Sequence, residues 1–384
     1  MQQQVDINSP IFSLYIFEDK LIVGCGGGDK KFGLKNKITL FQIHQGYFGQ
    51  ILSEENLDEI PEFIEGIPSK KIFCFNSKNK LYFYSIMKDN NSFKKKYTLS
   101  LFPENICLDC FKFNEDILAT GSDKGSLKLF KINFIDDEID SINELSSNEN
   151  AHWGGIKKIL FGFKNKIKFL ITASVDGTCK IFNITDPKKN IQVISYFSFR
   201  QFLHEPANYF MRDLIYINDK NIAYTIQSPR EGKSFLTKWD VSNINYIKPI
   251  HTIKISNVPC SSFDLSEDNK YLGITDREGR IFFVEANNLI ITGWKQIEEN
   301  MLKYCRFYKN YLITGSIANM LKINKIKSGF NSSLLTIILY LTLFLGVCYY
   351  IYLKKNKIIH KFISLNLYSS NIKKKFLYFS FYNL

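Results

Sequence analysis

Seven recurrences of paired apolar runs and one charge-free stretch near the C-terminus predict an all-β chain: a seven-bladed β-propeller followed by one C-terminal transmembrane helix. The pairs begin at Leu21 and Lys37, Ile72 and Lys80, Ile117 and Ser126, Phe169 and Thr178, Ile222 and Phe235, Tyr271 and Arg280, and Tyr311 and Met320. Their first members stand 40 to 53 residues apart, averaging about 48, the period of a four-stranded blade. On this reading residues 1–327 are the propeller, 332–353 the membrane helix and 354–384 a short basic and aromatic tail.

Within a pair the chemistry is that of a hairpin. Ile117 to Phe130 and Leu170 to Phe182 each read strand, turn, strand, and Asp176-Gly177 is a strong turn signal because glycine accepts positive φ. Beyond the turn, Leu127 and Leu129, or Cys179 and Ile181, alternate as a half-buried strand requires. The pattern resembles WD40 repeats, with Trp239-Asp240 as one WD dipeptide and His152 at the place of their structural histidine. A further strand precedes most pairs, at Ile106 to Phe113, Ile156 to Phe163, Leu214 to Ile217 and Ser261 to Leu265. The seventh pair ends close to the charge-free stretch, with no room for an outer strand. Gln4 to Asn8 is expected to supply it and so to close the ring, since an open ring would expose unpaired strand edges. The polar stretches at 54–65, 88–96 and 136–150 read as solvated links.

Charge is unevenly spread. The formal net charge is +13, but from Lys322 onward there are ten Lys and no Arg, Asp or Glu, leaving only +3 on the rest. The folded part is nearly neutral, which removes most of the support for a nucleic-acid partner. The eight cysteines show no paired spacing, so free thiols in a reducing compartment are expected. Cys107 and Cys110 read as positions in a buried strand run; a zinc site would need a second pair or histidines at ligand spacing. No Walker loop or catalytic triad appears, so nucleotide hydrolysis is disfavoured and the chain reads as a non-enzyme without a small-molecule substrate.

Ser328 to Leu353 carries no charge, and a helix over 332–353 spans about 33 Å at 1.5 Å per residue. Tyr349, Tyr350 and Tyr352 cluster at its far end, before Lys354, Lys355 and Lys357. Flanking charge weakly favours a cytosolic tail. The large cysteine-tolerant domain without an N-terminal leader argues for the opposite: domain in the cytosol, tail in the lumen. The Asn331-Ser332-Ser333 glycosylation triplet would then lie on the cytosolic side and go unused.

One link departs from the rest. Between Leu21-Ile22-Val23 and Lys37-Ile38-Thr39 lies Gly24-Cys25-Gly26-Gly27-Gly28-Asp29-Lys30-Lys31-Phe32-Gly33-Leu34-Lys35-Asn36, about three times longer than the hairpin turns elsewhere. Consecutive glycines are costly to order, so a plain connector does not need them. Three readings stand: a phosphate cradle, which lacks the helix that should follow; a structural glycine bulge; and a protruding, ion-stiffened recognition loop.

At Gly26, Gly27, Gly28, Gly33, Leu34, Lys35 and Asn36 this link is similar to the glycine-rich signature of the Sec12 family, which includes the prolactin regulatory element-binding protein. It departs at Cys25, where the family has its first glycine. The local match covers about residues 21–43, while seven blades followed by one span resemble the family's architecture. The resemblance implies an endoplasmic reticulum membrane protein, single-pass with a cytosolic N-terminal domain, that exchanges GDP for GTP on the small GTPase Sar1. Loading Sar1 starts COPII coat assembly for transport to the Golgi. It further implies a potassium ion in the loop, carried over to Gly26, Gly27, Gly28, Gly33 and Asn36, with Leu34 and Asn36 at the working tip. The rival expectation is a membrane-anchored WD40 scaffold without exchange activity, because propellers host many functions.

Overall fold

In the computed structural model, which describes residues 3–27, 33–87, 91–189, 191–199, 209–326, 340–350 and 352–355, the apolar runs become antiparallel strands. Chain order begins with β1 (Gln4–Asp6). Blade 1 follows as β2 (Ile11–Phe17), β3 (Lys20–Cys25), β4 (Asn36–His44) and β5 (Tyr47–Leu57), and blade 2 as β6 (Phe63–Ile67), β7 (Ile72–Ser77), β8 (Lys80–Ile86) and β9 (Phe93–Ser100). Blade 3 holds β10 (Leu108–Asn114), β11 (Ile117–Ser122), β12 (Leu127–Ile135) and β13 (Glu138–Asn148). Blade 4 holds β14 (Ile156–Lys164), β15 (Ile167–Ser174), β16 (Thr178–Asn183) and β17 (Gln192–Ser198). Blade 5 is β18 (Phe210–Ile217), β19 (Ile222–Ser228), β20 (Ser234–Asp240) and β21 (Lys248–Ser256). Blade 6 is β22 (Cys260–Leu265), β23 (Tyr271–Asp276), β24 (Arg280–Glu285) and β25 (Ile290–Gln296). Blade 7 takes β26 (Leu302–Tyr308), β27 (Tyr311–Ser316) and β28 (Met320–Lys325), and its fourth strand is β1.

The ring therefore closes with the two ends of the domain in one sheet. Val5 pairs with Leu321 and Asp6 with Met320, and flanking bonds run from Ile7 N to Asn319 O (2.9 Å) and from Ile323 N to Gln3 O (2.9 Å). Closure covers the edge that β28 would otherwise present, leaving only the short β1 outermost.

The second strands of the blades are apolar almost throughout because neighbouring blades cover both faces. Thus Leu21, Val23 and Cys25 pack with Ile313 and Leu321 of blade 7, while Ile22 packs with Phe73 and Phe75 of blade 2. The core is a set of inter-blade seams rather than one central mass. The stretches expected to be solvated links are in part outer strands: 136–150 is mostly β13, 54–65 holds the end of β5, and β9 begins at Phe93. An outer strand buries little of its surface, so its sequence carries charges, and alternation alone did not reveal it.

The chain divides into Met1–Lys327 and Ser328–Leu384. In the second unit, 340–350 and 352–355 are helical, and Leu341, Leu343, Phe344, Leu345 and Val347 are exposed. Among the described residues no helix is long and apolar enough to cross a membrane. The remaining positions of the expected span, 332–339 and 351, lie outside the described residues, as do Asn331 and the tail beyond Lys355.

Candidate functional site

The inner strands all begin on one face of the ring, and ladder register shows what else rises there. Cys25, the last residue of β3, pairs with Ile11, the first of β2, so the glycine-rich link emerges on that face. Its two limbs close into a neck. Gly26 N donates to Pro10 O (3.0 Å), and a Cβ placed on Gly26 would sit 2.2 Å from Asn36 Oδ1. A Cβ on Gly27 would sit 2.4 Å from Leu34 Cβ. No side chain fits at either position, so these two glycines let the limbs touch. Gly33 takes φ +73 with open space around it and turns the returning limb.

Of the residues expected at the tip, Leu34 is exposed, at 40 %. Asn36 is not at a tip. It opens β4 opposite Leu57, is buried, and its amide donates to Asp58 O at 3.3 Å. The sheet continues one pair beyond Lys37 and draws Asn36 into the ladder, so it anchors the neck. Cys25 is a buried strand residue whose Sγ lies 3.6 Å from Lys37 O, with burial pushing its thiol up to about 12. The departure at Cys25 thus falls in the strand below the neck. Gly28 lies outside the described residues.

A potassium ion needs several neutral oxygen donors, and among the described residues of the neck the Asn36 carboxamide oxygen beside Gly26 is a donor of that kind. Among the described residues no cluster of His, Cys, Asp and Glu could hold a metal. Cys107 and Cys110 are free thiols, Cys110 fully inside its strand.

His152 is structural. Its buried ring bridges Asp176 Oδ2 (2.9 Å) and Thr172 Oγ1 (2.7 Å), tying the blade 4 turn to β15. Burial pushes the imidazole below its usual range despite the pull of Asp176, so the neutral ring donates from Nδ1 to the carboxylate. Burial works against the Asp176 carboxylate too, but hydrogen bonds from His152 and Thr178 hold it well below the usual range. The next residue, Trp153, is 95 % exposed on the face where β14 begins. Trp239 is wholly buried and donates from Nε1 to Thr225 Oγ1 at 2.8 Å.

A further group was missed by sequence reasoning. In six blades the ladder slips at the start of the inner strand, between Ile11 and Ser13, Leu108 and Cys110, Ile156 and Lys158, Met211 and Asp213, Cys260 and Ser262, and Leu302 and Tyr304. A bulge leaves one residue outside the ladder and re-aims its side chain. The residues so released are Phe12, Asp109, Lys157, Arg212, Ser261 and Lys303, and all six line one cavity of about 400 Å³ at the mouth of the ring. Each is the second residue of its inner strand, or the third in the case of Arg212, and only closure of the ring brings these positions together.

Comparison with known protein families finds no family model that matches this sequence, and no curated protein matches it either. Among solved structures, Saccharomyces cerevisiae Sqt1, a WD40 propeller protein, is similar over 84 % of this chain and 98 % of its own, at 11 % identity and a TM-score of 0.59. The computationally designed Ika8 protein is similar over the same shares, at 13 % identity and a TM-score of 0.54. At such identities the likeness shows the propeller fold alone.

Proposed function

We propose that this chain is a guanine nucleotide exchange factor for a Sar1-type small GTPase at the endoplasmic reticulum membrane, starting COPII coat assembly and transport towards the Golgi. The observation that carries the reading is the neck, where Gly26 and Gly27 meet Asn36 and Leu34 so closely that only glycine fits, and Leu34 is left exposed. A GTPase holds its nucleotide through phosphate and Mg²⁺ contacts that order its switch segments. An exchange factor shifts that state only by binding the empty form more tightly than the loaded one. A pre-ordered loop does this at lower entropic cost than a slack one. Leu34 supplies the apolar wedge, and Asn36 positions it by fastening the returning limb to Asp58. Gly26, Gly27, Gly28, Gly33 and Asn36 would hold potassium, which supplies only electrostatic bracing of the loop. The protein makes and breaks no bond. The apolar side chains exposed on helix 340–350 support a membrane anchor, with the ring in the cytosol.

The test is release of a fluorescent GDP analogue from a Sar1-type GTPase by the full chain. Faster release in potassium than in lithium or tetramethylammonium buffer is expected; release at the intrinsic rate in every buffer overturns the reading. A second reading, a membrane-anchored scaffold, is favoured by Trp153, an exposed aromatic of the kind that anchors interfaces. A scaffold binds GDP-loaded, GTP-loaded and empty GTPase alike, whereas an exchange factor retains the empty form.

A further inference from the structure

The mouth of the ring has a composition that the exchange reading does not use. Of the six bulge residues, Lys157, Arg212 and Lys303 are cationic, and Asp109 alone is acidic. Asp109 is taken by Lys157, at 2.6 Å. Lys158, which also lines the cavity, pairs with Asp213 at 3.2 Å. Lys303 makes no ion pair among the described residues; Glu62 and, more weakly, Asp109 are the carboxylates whose charge acts on it. Among the described residues Arg212 makes no ion pair with a carboxylate either. Its Nε donates to Ser228 Oγ (3.0 Å) and its Nη2 to Pro229 O (2.8 Å), which fix the guanidinium plane at the mouth. Burial holds Arg212 down to about 10, with Arg277 adding to it, and burial with Lys157 lowers Lys303. Cations that lose hydration while facing one another are relieved by an oxyanion.

We propose that this mouth is a binding site for a phosphate-type oxyanion, held by Arg212, Lys303 and Lys157, with the Ser261 hydroxyl beside them. The bulges are what build it. A residue inside a ladder points along the pleat, towards one face of its own blade. A bulged residue leaves that alternation, and successive blades then aim their charges at one axis. Fixed guanidinium geometry suits the planar edge of a phosphate, while two lysines act as point charges. A cavity of about 400 Å³ takes a diphosphate or a small phosphate ester. The site does not depend on the glycine-rich neck, so it stands or falls apart from exchange activity.

The experiment is calorimetric titration of the full chain with inorganic pyrophosphate, against sodium chloride and succinate at matched ionic strength. One saturable site for pyrophosphate is expected, weakened about tenfold or more by Arg212→Met or Lys303→Met and unchanged by Lys70→Met, a lysine outside the cavity paired with Asp137. Asp109→Asn, which removes the one acidic bulge residue, tightens binding severalfold, a gain that misfolding cannot produce. Absence of saturable heat, equal binding of succinate, or equal affinity across Arg212→Met, Lys303→Met and Asp109→Asn would each overturn the site.

Discussion

The link between the second and third strands of a blade is made in two contrasting ways in blades 1 and 4. In blade 4 it is a tight turn, Val175-Asp176-Gly177, and its polar atoms are consumed locally. Gly177 N donates to Ser174 O (3.1 Å), Thr178 N to Asp176 Oδ1 (2.9 Å), and the other carboxylate oxygen takes His152 and the Trp153 amide. In blade 1 the link starts from the same strand ends but rises as a glycine neck that leaves Leu34 in solvent. The blade 4 turn spends its residues on stability and has nothing left for a partner. The blade 1 link gives up local bonding and retains an apolar side chain on a stiff base. On the exchange proposal, function lies where the repeat fails to satisfy itself.

The strongest way to break this comparison is to make the two links alike. Putting the Val-Asp-Gly turn of blade 4 in place of residues 27–35 should return GDP release to its intrinsic rate, while shifting Tm by less than about 3 °C, since the seams beneath are untouched. A large fall in Tm with exchange retained would reverse the assignment.

Asn36 sharpens the same point. Asn36→Ala should cut exchange about tenfold and cost about 1–2 kcal/mol, because the Asp58 carbonyl loses a buried donor. Leu34→Ala should match it in exchange with a smaller loss of stability, as its side chain is 40 % exposed. Denaturant titrations beside release kinetics separate the two.

Blade 4 should respond in the opposite sense. His152→Ala is expected to cost about 2–3 kcal/mol by removing the buried ring that bridges Asp176 and Thr172 and leaving a cavity in its place, with exchange unchanged. The folded protein holds His152 below its unfolded value near 6.5. The unfolded chain therefore binds that proton first, and stability falls as pH drops through that value. Asp176, also held low, contributes stability above about pH 4 that is lost below it. The variant should show a flatter stability profile between pH 7 and 5, read by thermal melts across pH. The smallest effect is expected at Gly33. With φ +73 and empty space around it, Gly33→Ala costs about 1 kcal/mol of backbone strain, and release should slow only severalfold.

How much of this was legible follows from the range of each signal. The second and third strands of every blade showed in their apolar alternation and turn residues, and β7 and β11 begin at the residues where the pattern starts, Ile72 and Ile117. The outer strands did not show, because Glu138 to Asn148 is charged in the way of a loop. Leu34 was legible as an odd residue in a glycine link. The burial of Asn36 was not, since whether the ladder ends at Lys37 or one pair later depends on Leu57 across the sheet.

By itself, then, the amino-acid sequence determined the number of blades, the strand that closes the ring and the structural role of His152, because alternation, turn chemistry and spacing act over a few residues or repeat along the chain. Only the tertiary structure decided which side chains share the mouth. Phe12, Asp109, Lys157, Arg212, Ser261 and Lys303 lie far apart in sequence, and each is unremarkable within its own strand. They meet because six of the seven blades carry a bulge at the same end and the ring turns those ends toward one axis.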